Sequence, residues 1–254
     1  MNRSSPFWTP PAYAGVDSHC FQWQSVAVHL FFGMPTQPLE QFAVEPLSDE
    51  ERQRASRYYR ASDAQRMIWR RFLLRTLLAG HLGVSPGSLC FQQNAWGKPS
   101  LLGGPSLLGG GTQTLPQFNL SHSDTAVAIV ISLTNELEVG VDVERQKPLA
   151  DLPSLAKAIM HRQELEAWQR LDGEEKLRWF FTLWAAKEAV LKSVGYGLSV
   201  PPQSMIVDPG KVAGSPLGIT VSGPDGRRWE SEMAIFPRFS PYSVAVASAR
   251  IGGS

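Results

Sequence analysis

The sequence predicts an α+β protein made of two similar halves, and three observations carry that expectation. Each half holds a helical block followed by strands. Phe72 to Gly83 (FLLRTLLAGHLG) aligns without gaps to Trp184 to Gly195 (WAAKEAVLKSVG), an internal repeat of low identity. Val139-Gly140-Val141-Asp142-Val143-Glu144 alternates β-branched and polar residues, the period of a half-buried strand. Two α/β halves of this kind would be related by a pseudo-twofold axis, with an active site in the cleft between them. The division expected is 1–147 and 148–254.

A chain of 254 residues with 43% hydrophobic and 19% charged residues has the composition of a globular protein with a real core. The net charge of +1 gives no electrostatic reason to expect a nucleic-acid or membrane partner. Cys20 and Cys90 form neither a metal cluster nor a disulfide framework. A cytoplasmic location follows as the expectation, since the first residues lack an apolar signal core.

Residues 1–20 are rich in Pro, Ser and aromatics without a period, and read as an irregular arm. Val26 to Phe32 is a first strand, with His29 expected as a core or surface histidine. Ser48 followed by Asp49-Glu50-Glu51 starts a helix. The helical region runs to about His81 and breaks near Ala61-Ser62-Asp63. It carries eight arginines from Arg52 to Arg75, and four-residue spacings such as Arg66/Arg70 share a face. Such forks suit a phosphate, although a solvated face paired with Glu50, Glu51 and Asp63 would use the same residues.

Asn94-Ala95-Trp96-Gly97-Lys98-Pro99 reads as a turn with Lys98 at its tip. The repeated Leu-Leu-Gly-Gly within 101–117 reads as a flexible surface insertion. Phe118 to Asp124 is expected as a polar rim in which Ser121 and His122 could bind a phosphate, or as a plain polar turn. Ala126 to Leu133 and Val139 to Glu144 are expected to pair as a hairpin. After the turns at 145–153, helices are expected at 154–160, 164–170 and 174–194. The last has an apolar face through Leu177, Phe180, Phe181, Trp184, Leu191 and Val194. Lys187, Glu188 and Lys192 lie on its flank. Strands follow near 205–207, 219–221, 229–236 and 242–249.

Strand period puts Asp142 and Glu144 on one face, with Gly140 leaving room for a close backbone approach. Neighbouring carboxylates repel, and a hard cation such as Mg²⁺ offsets them, although two solvated acids on a strand face would look the same.

Four motifs then stand in order: Asn94…Gly97-Lys98-Pro99, Phe118-Asn119-Leu120-Ser121-His122-Ser123, Gly140-Val141-Asp142-Val143-Glu144, and Trp184-Ala185-Ala186-Lys187-Glu188-Ala189-Val190-Leu191-Lys192. In this order the chain resembles the Sfp-type 4′-phosphopantetheinyl transferases, with a weaker match in the Arg54 to Arg66 helix. The arm and the 101–117 insertion depart from that pattern and leave the local shape beside Lys98 open. The resemblance implies transfer of the phosphopantetheine arm of coenzyme A to a serine of an acyl or peptidyl carrier protein, with release of 3′,5′-ADP. It implies Mg²⁺, or Mn²⁺ in its place, held by Asp142, Glu144 and Glu188. Glu188 is the implied base and Lys192 the stabiliser of the leaving phosphate. Arg54, Arg66, Lys98, Ser121 and His122 are the implied nucleotide ligands, with Lys187 a further phosphate contact. A monomer is expected, because the repeat supplies its own cleft. Apolar residues at Leu152, Leu155, Ile159 and Met160 are offered as a carrier groove, with ordinary core as the other reading for at least half of them. Two rivals are a Mg²⁺-dependent nuclease and a binding protein without chemistry. Against the nuclease, the lysines lie on a helix and the net charge is near zero. Against mere binding, the acids and Lys192 are all present.

Overall fold

The computed structural model describes residues 9–103, 115–132, 134, 136–208 and 216–251. The chain order is β1 (Asp17–Trp23), β2 (Val26–Phe32), α1 (Asp49–Ser56), α2 (Ala61–Leu82), β3 (Phe91–Gln93), β4 (Pro99–Leu101), β5 (Phe118–Ser123), β6 (Ala126–Ser132) and β7 (Glu138–Arg145), then α3 (Leu152–Ile159), α4 (Arg162–Gln169), α5 (Gly173–Val194), β8 (Leu217–Ser222), β9 (Arg228–Ile235) and β10 (Tyr242–Ile251). Mixed helices and antiparallel sheets make it an α+β fold. One four-stranded sheet has the order β1-β2-β6-β5, a second has the order β7-β10-β9-β8, and β3 pairs with β4.

The layering follows from strand period. Val26, Val28 and Leu30 of β2 and Ala128 and Val130 of β6 pack on Val139, Val141 and Val143 of β7 and on Val244 and Val246 of β10. The two sheets therefore stack face to face. The opposite faces take the long helices. Ala27, Phe31, Val127 and Ile129 bury Trp69, Leu73 and Leu77 of α2. Ala245, Ala247 and Met233 bury Phe181, Ala185 and Leu191 of α5. Both long helices have 22 residues and both end on a left-handed glycine, Gly83 and Gly195. These are the residues that the internal repeat aligns.

The first helix starts where its side chains predict: Ser48 and Glu51 form a reciprocal capping box on α1. The break expected near Ala61-Ser62-Asp63 falls earlier, at 57–60, and those three residues form the first turn of α2. Four further expectations need correction. The arm ends earlier than residue 20, because Asp17 to Trp23 pairs with β2; residues 1–8 lie outside the described residues. β6 and β7 form no hairpin: β6 pairs with β2 and β5, whereas β7 pairs with β10 in the other sheet. Alternation alone does not say which partner takes a strand. β7 thus hydrogen-bonds with the C-terminal strands, although a boundary at 147 puts it in the first half. Phe118 to Ser123 is a strand, not a turn. Met205 and Val207 are buried with Ile206 exposed between them, but the segment is not a strand, because its backbone serves other groups: Met205 O accepts from Lys187 and Val207 N donates to Glu164. The 101–117 insertion falls largely at 104–114, outside the described residues.

β5 and β7 are edge strands of different sheets, and side chains join them. Asn119 Oδ1 accepts from Val141 N at 3.2 Å, and Ser123 Oγ accepts from Arg145 N at 3.0 Å. The polar pattern of β5 is explained by this seam, since its side chains complete the open backbone edge of β7.

Gly140 sets how α5 crosses β7. A Cβ there would lie 2.0 Å from Ala189 O and 2.4 Å from Ser193 N. Both atoms belong to helix backbone and cannot swing away. Gly140→Ala should therefore cost about 3 kcal/mol or more, at the upper end of overpacking effects. It should also lift Glu188 and Lys192 off the strand. Urea unfolding and a turnover assay check this; a stability within 1 kcal/mol of the parent (roughly the scale of a tolerated swap) would mean that the helix can move.

Candidate active site

The site is built on the seam. Asp142 and Glu144 project from β7 on the Gly140 face, and the crossing of α5 brings Glu188 and Lys192 over them. Asp142 is 2% exposed. Its Oδ1 accepts from Lys192 Nζ at 2.5 Å and from Ser121 Oγ at 2.7 Å, and Ser121 Oγ in turn accepts from Lys192 Nζ at 3.1 Å. Asp142 Oδ2 is buried and has no hydrogen-bond partner. Glu144 is held at both oxygens: Ser123 Oγ donates to Oε2 at 2.8 Å, and Trp184 Nε1 donates to Oε1 at 3.3 Å. Glu188 Oε2 lies 4.0 Å from Lys192 Nζ, one helical turn away.

The electrostatics follow from this crowding. Burial first, and then the charge of Asp142, raise the Glu144 pKa against the hydrogen bonds from Ser123 and Trp184. Burial also raises that of Glu188. Lys192 opposes the rise, while Asp142 and Glu144 add to it. The acids are thus held together at a cost that Lys192 only partly offsets.

Beside them is a basic rim. His122 sits on β5 next to Ser121. Desolvation of its ring lowers its pKa to about 4, helped by the charges of Arg70, Lys192 and Arg66. Arg70 is hydrogen-bonded to Tyr58 and feels the charges of Arg66 and Arg54. Arg66 also pairs with Asp63 one turn earlier. Arg66, Arg70 and Lys192 thus surround a neutral His122 ring with positive charge, and Arg54 adds to it beside Arg70.

Three expected nucleotide ligands are placed differently. Lys187 is fully buried and donates to Glu164 at 2.5 Å and to the carbonyls of Ile159, Pro202 and Met205. It points into the core because a step of one residue from Glu188 turns about 100° around the helix. Lys98 is not at an open loop tip. Its Nζ donates to Glu138 Oε2 at 2.6 Å and to Ser193 O at 2.7 Å, tying the β3–β4 turn to the end of α5. Asn94 supports the same clamp by donating to Gly195 O at 3.0 Å. The hydroxyl of Ser121 is engaged by Asp142 and Lys192, so it orients the acid. Of the suggested carrier groove, Ile159 and Met160 are core, whereas Leu155 is exposed. Arg70, Ser123 and Trp184 are additions to the site. Their spacing gave a signal only for Arg70, four residues after Arg66.

Hard oxygen donors beside a basic rim have the chemistry that a phosphorylated substrate needs. The sequence pattern of the 4′-phosphopantetheinyl transferase superfamily matches residues 138–247, and that of a 4′-phosphopantetheinyl transferase N-terminal region matches 34–134. The chain is 36% identical over 175 residues to the 4′-phosphopantetheinyl transferase HetI of Nostoc sp., an alignment covering 68% of this chain and 70% of HetI. It is 28% identical over 163 residues to Sfp of Bacillus subtilis, covering 63% and 66%. It is 26% identical over 172 residues to the human L-aminoadipate-semialdehyde dehydrogenase-phosphopantetheinyl transferase, covering 65% and 54%. The chain belongs to the 4′-phosphopantetheinyl transferase superfamily.

Proposed function

We propose that this protein transfers the 4′-phosphopantetheine arm of coenzyme A to a serine of an acyl or peptidyl carrier protein, converting apo to holo carrier and releasing 3′,5′-ADP. The observation that carries the reading is the meeting of Asp142, Glu144, Glu188 and Lys192 across β7 and α5, beside the rim formed by His122 and the arginines.

Among the described residues no three His, Cys, Asp or Glu are already gathered around one metal position, so a cation would have to draw the acids of this site together. The donor set nevertheless fits a hard cation. The partnerless Asp142 Oδ2 and the raised pKa values of Glu144 and Glu188 favour added positive charge. Asp142, Glu144 and Glu188 would hold Mg²⁺, or Mn²⁺ in its place. When bound, it supplies charge neutralisation on the diphosphate. The chain's own groups do the rest. Glu188 takes the proton of the carrier serine hydroxyl. The serine oxygen forms a bond to the phosphorus that carries pantetheine. The bond from that phosphorus to the bridging oxygen breaks, and the electron pair leaves on 3′,5′-ADP. Lys192 meets the new charge. Ser123 and Trp184 fix the angle of Glu144. His122 and Arg70, Arg66 and Arg54 bind the nucleotide phosphates.

No helix among the described residues is long and apolar enough to cross a membrane. A cytoplasmic monomer that binds coenzyme A and a carrier, without nucleic acid, completes the reading.

Incubation with an apo carrier protein, coenzyme A and Mg²⁺ should add one phosphopantetheine mass to the carrier. No gain on several acyl and peptidyl carriers, with folded enzyme, would overturn the reading.

A second prediction concerns the rim. With its pKa near 4, His122 is neutral at neutral pH. A bound 3′-phosphate raises that value, so binding takes up a proton and affinity rises as pH falls below neutrality. A hydrogen bond to a charged group is worth roughly 1.5–3 kcal/mol. His122→Ala should therefore raise KM for coenzyme A by about tenfold or more, and flatten this part of its pH dependence. Dephospho-coenzyme A should be a poor substrate for both proteins. Equal KM values for parent and variant with coenzyme A would remove His122 from the phosphate site.

A further inference from the structure

Lys192 occupies an unusual position for a group whose proposed task lies on the substrate. Its ammonium is in contact with Asp142, at 2.5 Å from Oδ1, and 4.0 Å from Glu188. It is also anchored on Ser121 Oγ. Among the described residues it is the cation in contact with the acid cluster. Burial and mutual repulsion raise the pKa values of Glu144 and Glu188, and Lys192 is the group that lowers them through its charge in both cases. Asp142 needs a second cationic or hydrogen-bonding partner for its buried Oδ2, which has none. A divalent ion that used this oxygen would stand beside an ammonium that already uses Oδ1 of the same carboxylate. The two positive charges compete for one acid.

We propose that Lys192 is a placeholder cation. It neutralises the acid cluster in the free protein, opposes entry of the divalent metal, and is drawn away to the phosphate when the nucleotide binds. The inference rests on the reading that Asp142, Glu144 and Glu188 hold a divalent cation. Metal and coenzyme A then bind cooperatively, and part of that coupling belongs to Lys192 rather than to direct contact between metal and diphosphate. By reciprocity the metal must raise affinity for the nucleotide by the same factor. The arrangement has a physical use. A cluster of acids left without any cation would repel itself apart, and the lysine preserves its geometry until substrate arrives.

The test is a Mn²⁺ titration followed by electron paramagnetic resonance, with no carrier present and therefore no turnover. It compares the parent protein, Lys192→Met, Lys192→Arg and Asp142→Ala, each with and without coenzyme A. Removing one like charge from a half-buried site should make Mn²⁺ bind Lys192→Met about tenfold tighter or better than the parent in the absence of coenzyme A. Lys192→Arg keeps the charge and should bind as weakly as the parent. The gain in Mn²⁺ affinity on adding coenzyme A should be smaller in Lys192→Met than in the parent. Thermal melts of the free proteins add a second readout: Lys192→Met should melt lower than the parent without metal and recover on adding Mn²⁺. Equal or weaker Mn²⁺ binding by free, folded Lys192→Met would overturn the placeholder role while leaving the metal reading intact. Mn²⁺ binding that Asp142→Ala does not weaken, or no binding by any protein even with coenzyme A, would instead overturn the metal reading itself, and this inference with it.

Discussion

Asp142→Ala should lose transfer activity by about a thousandfold or more, because it removes a buried oxygen donor and frees Lys192 from its anchor, a change of several kcal/mol in charge stabilisation. Glu188→Gln should do the same by removing the proposed base and a proposed metal donor together. Lys192→Met is milder, with a loss of about a hundredfold in kcat, the scale of one preorganised charge donor. What separates this from a folding defect is stability. Glu188 has a folded pKa above its ordinary value. The sign is that folding disfavours its ionised form, so its ionisation destabilises the protein at neutral pH, and the penalty fades as pH falls through the raised value. Glu188→Gln should therefore melt no lower than the parent, and higher if the penalty dominates, while turnover vanishes. Mass spectrometry of the carrier and a thermal melt are the two measurements. Turnover within tenfold of the parent for Asp142→Ala (about 1.4 kcal/mol) would leave Asp142 a buried structural acid with no part in the chemistry.

Lys187→Met should unfold the protein more readily by about 3–5 kcal/mol, the usual effect of removing one partner of a buried ion pair. Lys187 and Glu164 are 0% and 3% exposed at the side chain. Glu164 also caps α4 by accepting from His161 N at 2.7 Å, and its other oxygen takes Val207 N at 2.6 Å. Lys187 closes the loop by binding three carbonyls, so the pair welds α4, α5 and the 202–207 segment together. The folded fraction should keep the parent's KM for coenzyme A, since Lys187 touches no part of the basic rim. Glu164→Gln combined with Lys187→Met should recover part of the loss, because no buried charge is then left alone. Chemical denaturation and a KM measurement at low temperature decide this. A raised KM with unchanged stability would restore Lys187 as a phosphate ligand.

Much of the site was legible in the chain because it rests on local periods. A period of two placed Gly140, Asp142 and Glu144 on one face of β7. A spacing of four placed Glu188 and Lys192 on one flank of α5, and Gly195 marked where that helix stops. The family motifs added the order. Lys187 and Lys98 were less legible, since residue type and motif membership do not say where a side chain's partners are. Lys187 neighbours Glu188 in sequence but points about 100° away around the helix, and its partners come from 23 residues before it and 15 and 18 after it.

By itself the sequence determined the α+β class, the two long helices with the glycine end of the second, and the acid face of one strand. Each of these follows from interactions within a few residues. Only the tertiary structure decided that β6 and β7 part into different sheets, that Asn119 and Ser123 stitch the open edge of β7, and that Ser121 and Lys192 converge on one oxygen of Asp142. Those contacts join residues 21 to 71 positions apart. They depend on how α5 crosses Gly140, and that is set by backbone approach between elements, which no local pattern encodes.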